Sequence, residues 1–350
     1  MNENISKILK WVLLLIALPA GLYLGKTFLA PLAIGVILAM MLVPMMDWLK
    51  KKGLGHGLAV FGSTMLLLLF FVFLGALITV QVKIISNDWP QIEKTAVKLL
   101  DDAQNFIEQK AGIAPEQQLQ QAKRVLSNVG KGGTAALGSV TGTVANFVLV
   151  IVYVVLVLSQ RDRFKKFILI QVPAGDQPRA SKVLKEIRKT SGGYFWGMFK
   201  AMLILAILYA TGFLIGGVKY ALLLALIAAV FSFIPYLGNA LGGGLAALLA
   251  MVSGGFPSVM VVFGVMFAAQ MIDNYITQPY VVGKEVDLNP FMTITSVIGF
   301  GVLWGVPGAI IAIPVTGMLR GVFEYFESSK PFAFVMGNQK PEAVKDLIFR

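Results

Sequence analysis

Long apolar runs separated by short polar stretches dominate this chain. A run of about twenty apolar residues is long enough to cross the hydrocarbon core of a bilayer. Six such runs predict six transmembrane helices, at residues 8–28, 31–49, 58–82, 144–158, 194–215 and 220–234. The first run is long and is not followed by a small-residue cleavage site and a soluble chain. We therefore interpret it as an uncleaved first helix rather than a signal peptide.

The last two apolar regions share a different pattern. Residues 239–276 and 289–326 each contain an apolar limb, a Gly-x-Pro break and a second apolar limb. Three pairs of matching residues lie fifty positions apart: Asn239 and Asn289, Gly255 and Gly305, and Pro257 and Pro307. Each first limb would form about 20 Å of helix, which is short of the ~30 Å hydrocarbon core. We predict two Gly/Pro-broken helical hairpins. Two unrelated re-entrant turns remain the alternative to a repeat.

The composition supports a membrane protein and excludes several kinds of site. Hydrophobic residues make up 57% of the chain and charged residues 14%, against roughly 45–50% and about 25% in soluble domains. The chain has no cysteine and one histidine, His56, which excludes disulfides, thiolate metal sites and a histidine triad within one chain. Gly242, Gly243 and Gly244 are not followed by Lys-Ser/Thr and do not form a phosphate-binding loop. We expect no enzyme activity, no cofactor and no metal.

The positive charge predicts an orientation in the membrane. The chain carries a formal charge of +12. With the N-terminus in the cytoplasm, twenty Lys and Arg side chains fall inside and nine outside, and seven of those nine belong to one long segment. Because short cytoplasmic loops are rich in Lys and Arg, this orientation is favoured. We expect a multi-pass protein of the bacterial cytoplasmic (inner) membrane, with both termini cytoplasmic and no nucleic-acid partner.

Two polar regions divide the membrane pattern. Residues 83–142 have helical periodicity up to a break at 112–115 and again over 116–128, which predicts a small extracytoplasmic helical insert. Residues 161–193 are basic and amphipathic, a pattern typical of helices that lie against anionic lipid headgroups. The predicted organisation is N-terminal membrane helices (1–82), the insert (83–142), a fourth membrane helix (143–160), the basic cytoplasmic segment (161–193), a transport core with both hairpins (194–326) and a cytoplasmic tail (327–350).

Polar side chains in or beside membrane spans are candidates for function, because burying them in lipid is costly. Six of them flank the hairpins and are predicted to line a substrate pathway: Asn239, Gln270, Asp273, Asn274, Gln278 and Asn289. Gly and Pro interruptions in paired hydrophobic segments favour this location for a transporter site. The alternatives are that Asp273 only ends a helix at the headgroup boundary and that the two limb-starting asparagines are N-caps.

Several motifs carry a resemblance to a known family. They are FIPYLGN at 233–239, DNYI at 273–276, QPYVVGK at 278–284, VDLNP at 286–290, WGVPG at 304–308 and IP at 313–314. In this order and spacing, they resemble the AI-2E family of bacterial membrane transporters, which is named for export of the signal molecule autoinducer 2. The resemblance spans nearly the whole chain, including the polar insert.

The resemblance implies a function but leaves two classes of substrate. The first is export of a small polar organic solute such as autoinducer 2, passive or driven by an ion gradient. The second is Na⁺/H⁺ antiport, in which Asp273 would alternately bind H⁺ and Na⁺. Family members often carry an acidic residue before the proline that matches Pro279, whereas this chain has Gln278. The resemblance further implies a homo-oligomer, with a pentamer as the expected form, in contact with the lipid bilayer.

Overall fold

The computed structural model describes residues 3–111, 120, 140–233, 237–282 and 286–338. Within these ranges the chain is helical, and no strand is found. The helices are α1 (Glu3–Leu24), α2 (Lys26–Lys51), α3 (His56–Ala111), α4 (Val140–Ile170), α5 (Gln177–Ile215), α6 (Ala221–Phe231), α7 (Leu237–Ile272), α8 (Pro290–Trp304), α9 (Val306–Tyr325) and α10 (Lys330–Met336). A π-helical segment, Asp273–Val282, follows α7 directly.

The predicted all-α, polytopic membrane fold is confirmed. Among the described residues, five helical stretches are long and apolar enough to cross a membrane: Lys26–Lys51, His56–Asp102, Ala174–Ile215, Gly242–Gln278 and Val306–Tyr325. The same part of the chain contains three shorter apolar helices: Val12–Leu24, Ala221–Phe231 and Pro290–Trp304. The count of six full spans plus two hairpins stays a prediction.

Several helices do not end where the apolar runs end. Helix α1 stops at Leu24 rather than at residue 28, and Gly25 separates it from α2. Helix α3 continues past residue 82 into the predicted insert, and α4 continues past residue 160 to Ile170. Helix α5 begins at Gln177, not at residue 194. The reason is that Lys, Glu, Gln and Ala are good helix formers in water, so the apolar run marks a membrane exit and not a helix end. The predicted break at 112–115 and the helix at 116–128 lie outside the described residues.

The chain divides into two compact units. Unit 1 contains Met1–Leu66, Asn146–Met198 and Val282–Arg350, and unit 2 contains Leu67–Ala145 and Phe199–Val281. In unit 1, α2 packs on α4 so closely that a Cβ built at Gly35 would lie 2.6 Å from the Cβ of Tyr153. The indole of Trp196 in α5 donates to the carbonyl of Met41 in α2 at 2.7 Å. Small residues and indole hydrogen bonds therefore join the helices of this unit.

The core of unit 2 joins α5, α6 and both limbs of α7. Alanines dominate the contact between α6 and the first limb, and a Cβ built at Gly242 would lie 2.8 Å from the Cα of Ala228. Gly212 and Gly216 of α5 lie against Val265 and Val261 of the second limb. Small residues let helix backbones approach closely. Inside a bilayer the lipid tails are as apolar as the side chains, so the hydrophobic effect does not drive helices together and this close packing holds them instead.

The chain reverses direction inside the first hairpin, which is helix α7. At Gly255 the backbone leaves helical geometry, with φ 71° and ψ −166°. A Cβ built at Gly243 would lie 2.8 Å from the Cε of Met266. In a straight helix, the twenty-three positions between these two residues would hold them about 35 Å apart. The two limbs of α7 therefore fold back on each other at the predicted break.

The second hairpin, formed by α8 and α9, turns in the same way. Gly305 has φ 67° and ψ −148°, close to the angles of Gly255. Across the turn, the hydroxyl of Thr316 donates to the hydroxyl of Ser296 at 2.9 Å, although the two residues are twenty positions apart. The two glycines that lie fifty positions apart in the sequence thus also share their backbone conformation.

The two hairpins differ at their starts, and the alternative that both limb-starting asparagines are N-caps holds for Asn289 alone. Asn289 is the N-cap of α8, and its side chain accepts a hydrogen bond from the backbone N–H of Met292 at 2.8 Å. Asn239 is not an N-cap, because α7 begins at Leu237 and Asn239 lies in its first turn. The reason lies in the next residue. Pro290 sets the start of α8 with its fixed φ, whereas Ala240 imposes no such start on α7.

Candidate functional site

The π-helical segment after the first hairpin brings a carboxylate and an amide together. Its ten residues include Asp273 and Gln278, and the Gln278 amide donates to Oδ2 of Asp273 at 3.1 Å. In a π-helix, each backbone N–H donates to the carbonyl five residues earlier. Residues 273 and 278 are five positions apart, so their side chains lie on the same side of the segment. Such segments are rare and are frequently found at functional sites.

Asp273 is buried and only half satisfied. Its side chain is buried, with 5% of the residue's surface exposed, and its Oδ1 atom has no hydrogen-bond partner among the residues that the structure describes. A buried carboxylate normally has partners for both oxygens, because removing the charge from water is costly. The free Oδ1 atom is therefore available to a proton, a cation or a hydroxyl group.

A second orphaned polar atom belongs to a neighbour of Asp273. Tyr209 of α5 is fully buried, with its ring stacked on Phe213 at 6.0 Å, and its hydroxyl finds no partner in the described part of the chain. Tyr209 belongs to the same buried cluster as Ala269, which lies one helical turn before Asp273, and the Tyr209 hydroxyl interacts electrostatically with the Asp273 carboxylate. Thr277, on the same π-helical segment, is also buried. Together Tyr209, Asp273, Thr277 and Gln278 form what we call the Asp273 site.

The chemistry of the Asp273 site follows from its atoms. The carboxylate accepts hydrogen bonds or binds a cation, the tyrosine hydroxyl donates or accepts, and the threonine hydroxyl does the same. The described residues contain no group of three or more His, Asp or Glu side chains that could hold a metal ion. The four residues that define the site are one carboxylate and three neutral polar side chains.

The remaining predicted pathway residues have different surroundings. Gln270 donates to Asn274 at 2.8 Å, and Asn274 is exposed, unlike the buried Asp273 beside it. The backbone of Asn239 lies in α7, and its side chain is outside the described atoms. Thus the structure pairs Asp273 with Gln278 and Gln270 with Asn274. Whether these four residues line a substrate pathway stays a prediction.

Asn289 belongs to unit 1 and has structural partners there. Besides capping α8, its amide donates to the carbonyls of Val335 at 2.6 Å and Gly337 at 3.1 Å. Its side chain therefore holds the start of α8 to the end of α10. These three bonds account for the asparagine, and its place in a pathway with Asp273 stays a prediction.

Tyr209 and Thr277 are the two members of the site that the sequence patterns did not identify. Tyr209 lies in the interior of the predicted fifth span, whereas membrane tyrosines are enriched at the two interfaces. This position inside the predicted span, away from both interfaces, is the sequence feature that could have identified Tyr209 as a candidate. Thr277 carries no comparable signal, because a threonine within an apolar helix is common and its burial is visible only in the structure.

Comparison with known proteins gives a consistent result. The sequence model of the protein family described as "AI-2E family transporter" matches residues 12–328 of this chain. The chain is 26% identical over 337 residues to "Putative transport protein MT0215" of Mycobacterium tuberculosis, covering 93% of this chain and 91% of that protein. It is 25% identical over 314 residues to "Putative transport protein YrrI" of Bacillus subtilis, covering 86% and 87%. It is 26% identical over 330 residues to "Putative permease PerM" of Escherichia coli, covering 89% and 92%.

Proposed function

Because this chain belongs to the AI-2E transporter family, we propose that it exports a small polar organic solute through the Asp273 site. Autoinducer 2 is the first candidate solute. The observation that carries the proposal is the buried Asp273 carboxylate with its free Oδ1 atom, together with the unpaired Tyr209 hydroxyl that interacts with it electrostatically. A solute with hydroxyl groups would donate to the carboxylate and accept from the tyrosine, so it would satisfy both atoms.

The position of the site supports transport rather than anchoring. Asp273 follows directly after a hairpin whose turn is enforced by Gly255. Interrupted helices near a buried polar residue are the arrangement that secondary transporters use for their substrates. The sequence has no phosphate-binding loop for ATP, so transport would be passive or driven by an ion gradient.

Na⁺/H⁺ antiport is the second candidate, and one observation favours it. A buried carboxylate with a free oxygen can bind H⁺ and Na⁺ in turn, and Asp273 has such an oxygen. Antiport sites commonly gather several carboxylates, whereas no cluster of acidic residues that could hold a metal ion is found in the described ranges. The export of an organic solute is therefore the primary proposal.

Reconstitution into liposomes separates the two candidates. Proteoliposomes would be tested for movement of labelled autoinducer 2, and parallel vesicles with an internal pH-sensitive dye would receive a sodium pulse. We expect movement of the solute without a sodium-dependent pH change. A pH change after the sodium pulse with no movement of autoinducer 2 would replace the export proposal with antiport.

The orientation proposed from the loop charges has its own test. At 1.5 Å per residue, the helical stretch His56–Asp102 is about 70 Å long, well beyond the ~40–45 Å of a whole bilayer. Asp102 and Lys182 are both exposed, and the native chain has no cysteine. In spheroplasts, an impermeant thiol reagent should label Asp102→Cys and leave Lys182→Cys unlabelled until the membrane is permeabilised. The reverse pattern would overturn the proposed orientation.

The assembly in the membrane is also a proposal. The family resemblance implies a homo-oligomer, with a pentamer as the expected form, in the bacterial inner membrane. Many large apolar side chains are exposed on the single chain, including Phe73, Ile207 and Phe267. Lipid or a second copy would cover such a surface. The mass of the purified protein in detergent, measured by light scattering, gives the number of subunits.

A further inference from the structure

The end of α4 carries an apolar stripe that its own unit does not cover. Beyond the predicted fourth span, α4 continues to Ile170, and residues 162–168 are all exposed. Phe164, Phe167 and Ile168 are exposed by 53%, 63% and 43%. Residues at spacing i, i+3 and i+4 lie on one side of a helix, so these three form a continuous apolar stripe.

Basic side chains surround this stripe. Arg163, Lys165 and Lys166 are exposed, and they lie on the rest of the helix circumference, outside the apolar stripe. Asp162 is the one acidic residue between residues 161 and 170. A Phe-containing apolar face flanked by Lys and Arg is typical of helices that lie in the interface of a membrane with anionic lipids.

Contacts with α2 fix the depth at which this extension begins. The guanidinium of Arg161 lies 2.9 Å from Oδ1 of Asp47, near the end of α2. The next residue, Trp48, is 55% exposed, and the ammonium of Lys52 lies 5.7 Å from the centre of its ring. Exposed tryptophans beside lysines mark the boundary between membrane and water. Residue 161 therefore lies at the level of the interface.

The length of α4 agrees with this placement. Its 31 residues span about 46 Å. The hydrocarbon core of a bilayer is about 30 Å thick, and the whole bilayer with its headgroups is about 40–45 Å. A helix of this length that crosses the bilayer along the predicted fourth span reaches both headgroup layers. The residues after Arg161 then lie among headgroups rather than far out in water.

We propose that residues 161–170 of α4 form a binding surface for anionic phospholipid headgroups. Arg163, Lys165 and Lys166 contact the phosphates, and the apolar stripe enters the boundary between headgroups and acyl chains. The exposed Lys182, Lys185 and Lys189 of α5 add positive charge in the same unit. A second copy of the chain fits this surface less well, because each chain has 30 basic and 18 acidic residues and offers few negative partners.

Fluorescence quenching by spin-labelled lipids tests the surface in the full-length protein. A single cysteine introduced as Ile170→Cys, at an exposed position, would carry an environment-sensitive dye. The protein would be reconstituted with phosphatidylglycerol or phosphatidylcholine that carries a nitroxide near the headgroup. Relative association constants for the two lipids follow from the quenching. We expect clear preference for phosphatidylglycerol.

Charge variants make the test specific. Replacing Arg163, Lys165 and Lys166 by Gln should lower the preference for phosphatidylglycerol, by up to about fivefold for each charge removed. The matched control replaces Lys83, Lys94 and Lys98 by Gln, since these side chains are also exposed but belong to unit 2. The control should keep the full preference. Phe164→Ser with Phe167→Ser should reduce quenching by both lipids.

Three outcomes would overturn the proposal. Equal quenching by the two lipids would show that the surface does not select anionic headgroups. Loss of the preference in the control as well as in the charge variant would show a general effect of net charge. Absence of quenching by either lipid, together with disulfide cross-linking between Ile170→Cys subunits, would show that a second copy covers the surface.

Discussion

Asp273→Asn is expected to reduce transport about 10- to 150-fold and to leave the protein folded. The carboxylate is buried, its Oδ2 atom accepts from Gln278, and its Oδ1 atom has no partner among the described residues. Asparagine keeps an acceptor for Gln278 but removes the negative charge. A hydrogen bond to a charged group contributes roughly 1.5–3 kcal/mol, which converts to the stated range in binding. Initial transport rates in liposomes with equal protein incorporation measure the effect.

The charge-matched control for this prediction is Asp102→Asn. Asp102 is exposed on α3, and its substitution should leave transport unchanged. If Asp273 only ends a helix, Asp273→Asn would also transport at the wild-type rate, because asparagine serves that purpose equally well. Wild-type transport by Asp273→Asn would therefore remove Asp273 from the site.

Tyr209→Phe gives an independent measurement on the same site. The tyrosine ring stacks on Phe213, and phenylalanine preserves that contact. The hydroxyl is buried without a described partner, so its removal should leave the stability unchanged or raise it. If the hydroxyl binds solute, transport should fall about fivefold, the value of a neutral hydrogen bond. A variant that is at least as stable as wild type and transports less would identify a polar group kept for function.

Gly255→Ala and Gly305→Ala are expected to destabilise the protein by about 1–3 kcal/mol each. Gly255 has φ 71° and ψ −166°, and Gly305 has φ 67° and ψ −148°. This region of backbone space is occupied almost only by glycine, because a Cβ atom is strained there. No neighbouring side chain is needed for the effect at Gly305, where a built Cβ meets nothing within 4 Å. The fraction that remains monodisperse after heating in detergent measures the change.

Each turn has a matched control in its own hairpin. Gly264 and Gly299 lie inside helices, and a Cβ built at either position meets no atom within 4 Å. Gly264→Ala and Gly299→Ala should be neutral or stabilising, since alanine favours helix over glycine by roughly 0.5–1 kcal/mol. If Gly255→Ala and Gly305→Ala tolerate heat as well as these controls, neither turn requires the backbone conformation described here.

The sequence by itself determined the class of protein and the positions of its turns. Apolar run length identifies membrane helices because the thickness of a bilayer is fixed. The Gly-x-Pro breaks were predictable because the preferences of glycine and proline are properties of a single residue. The motifs identified the family for a similar reason: a motif is defined by residue types and their order along the chain, and both are read directly from the sequence. The exact ends of α3, α4 and α5 were not predictable, because helix propensity continues in water where the apolar run stops.

The tertiary structure alone decided which polar residues have partners. Asn239 and Asn289 occupy equivalent positions in the sequence, yet only Asn289 caps a helix, and it also binds the chain near residue 335. Asp273 and Tyr209 are sixty-four positions apart, and only the packing of α5 against the hairpin brings these two parts of the chain into one buried cluster. Burial and the pairing of a polar atom depend on neighbours that are distant in sequence. The local sequence pattern could therefore identify Asp273 as a candidate site residue, but it could not identify Tyr209.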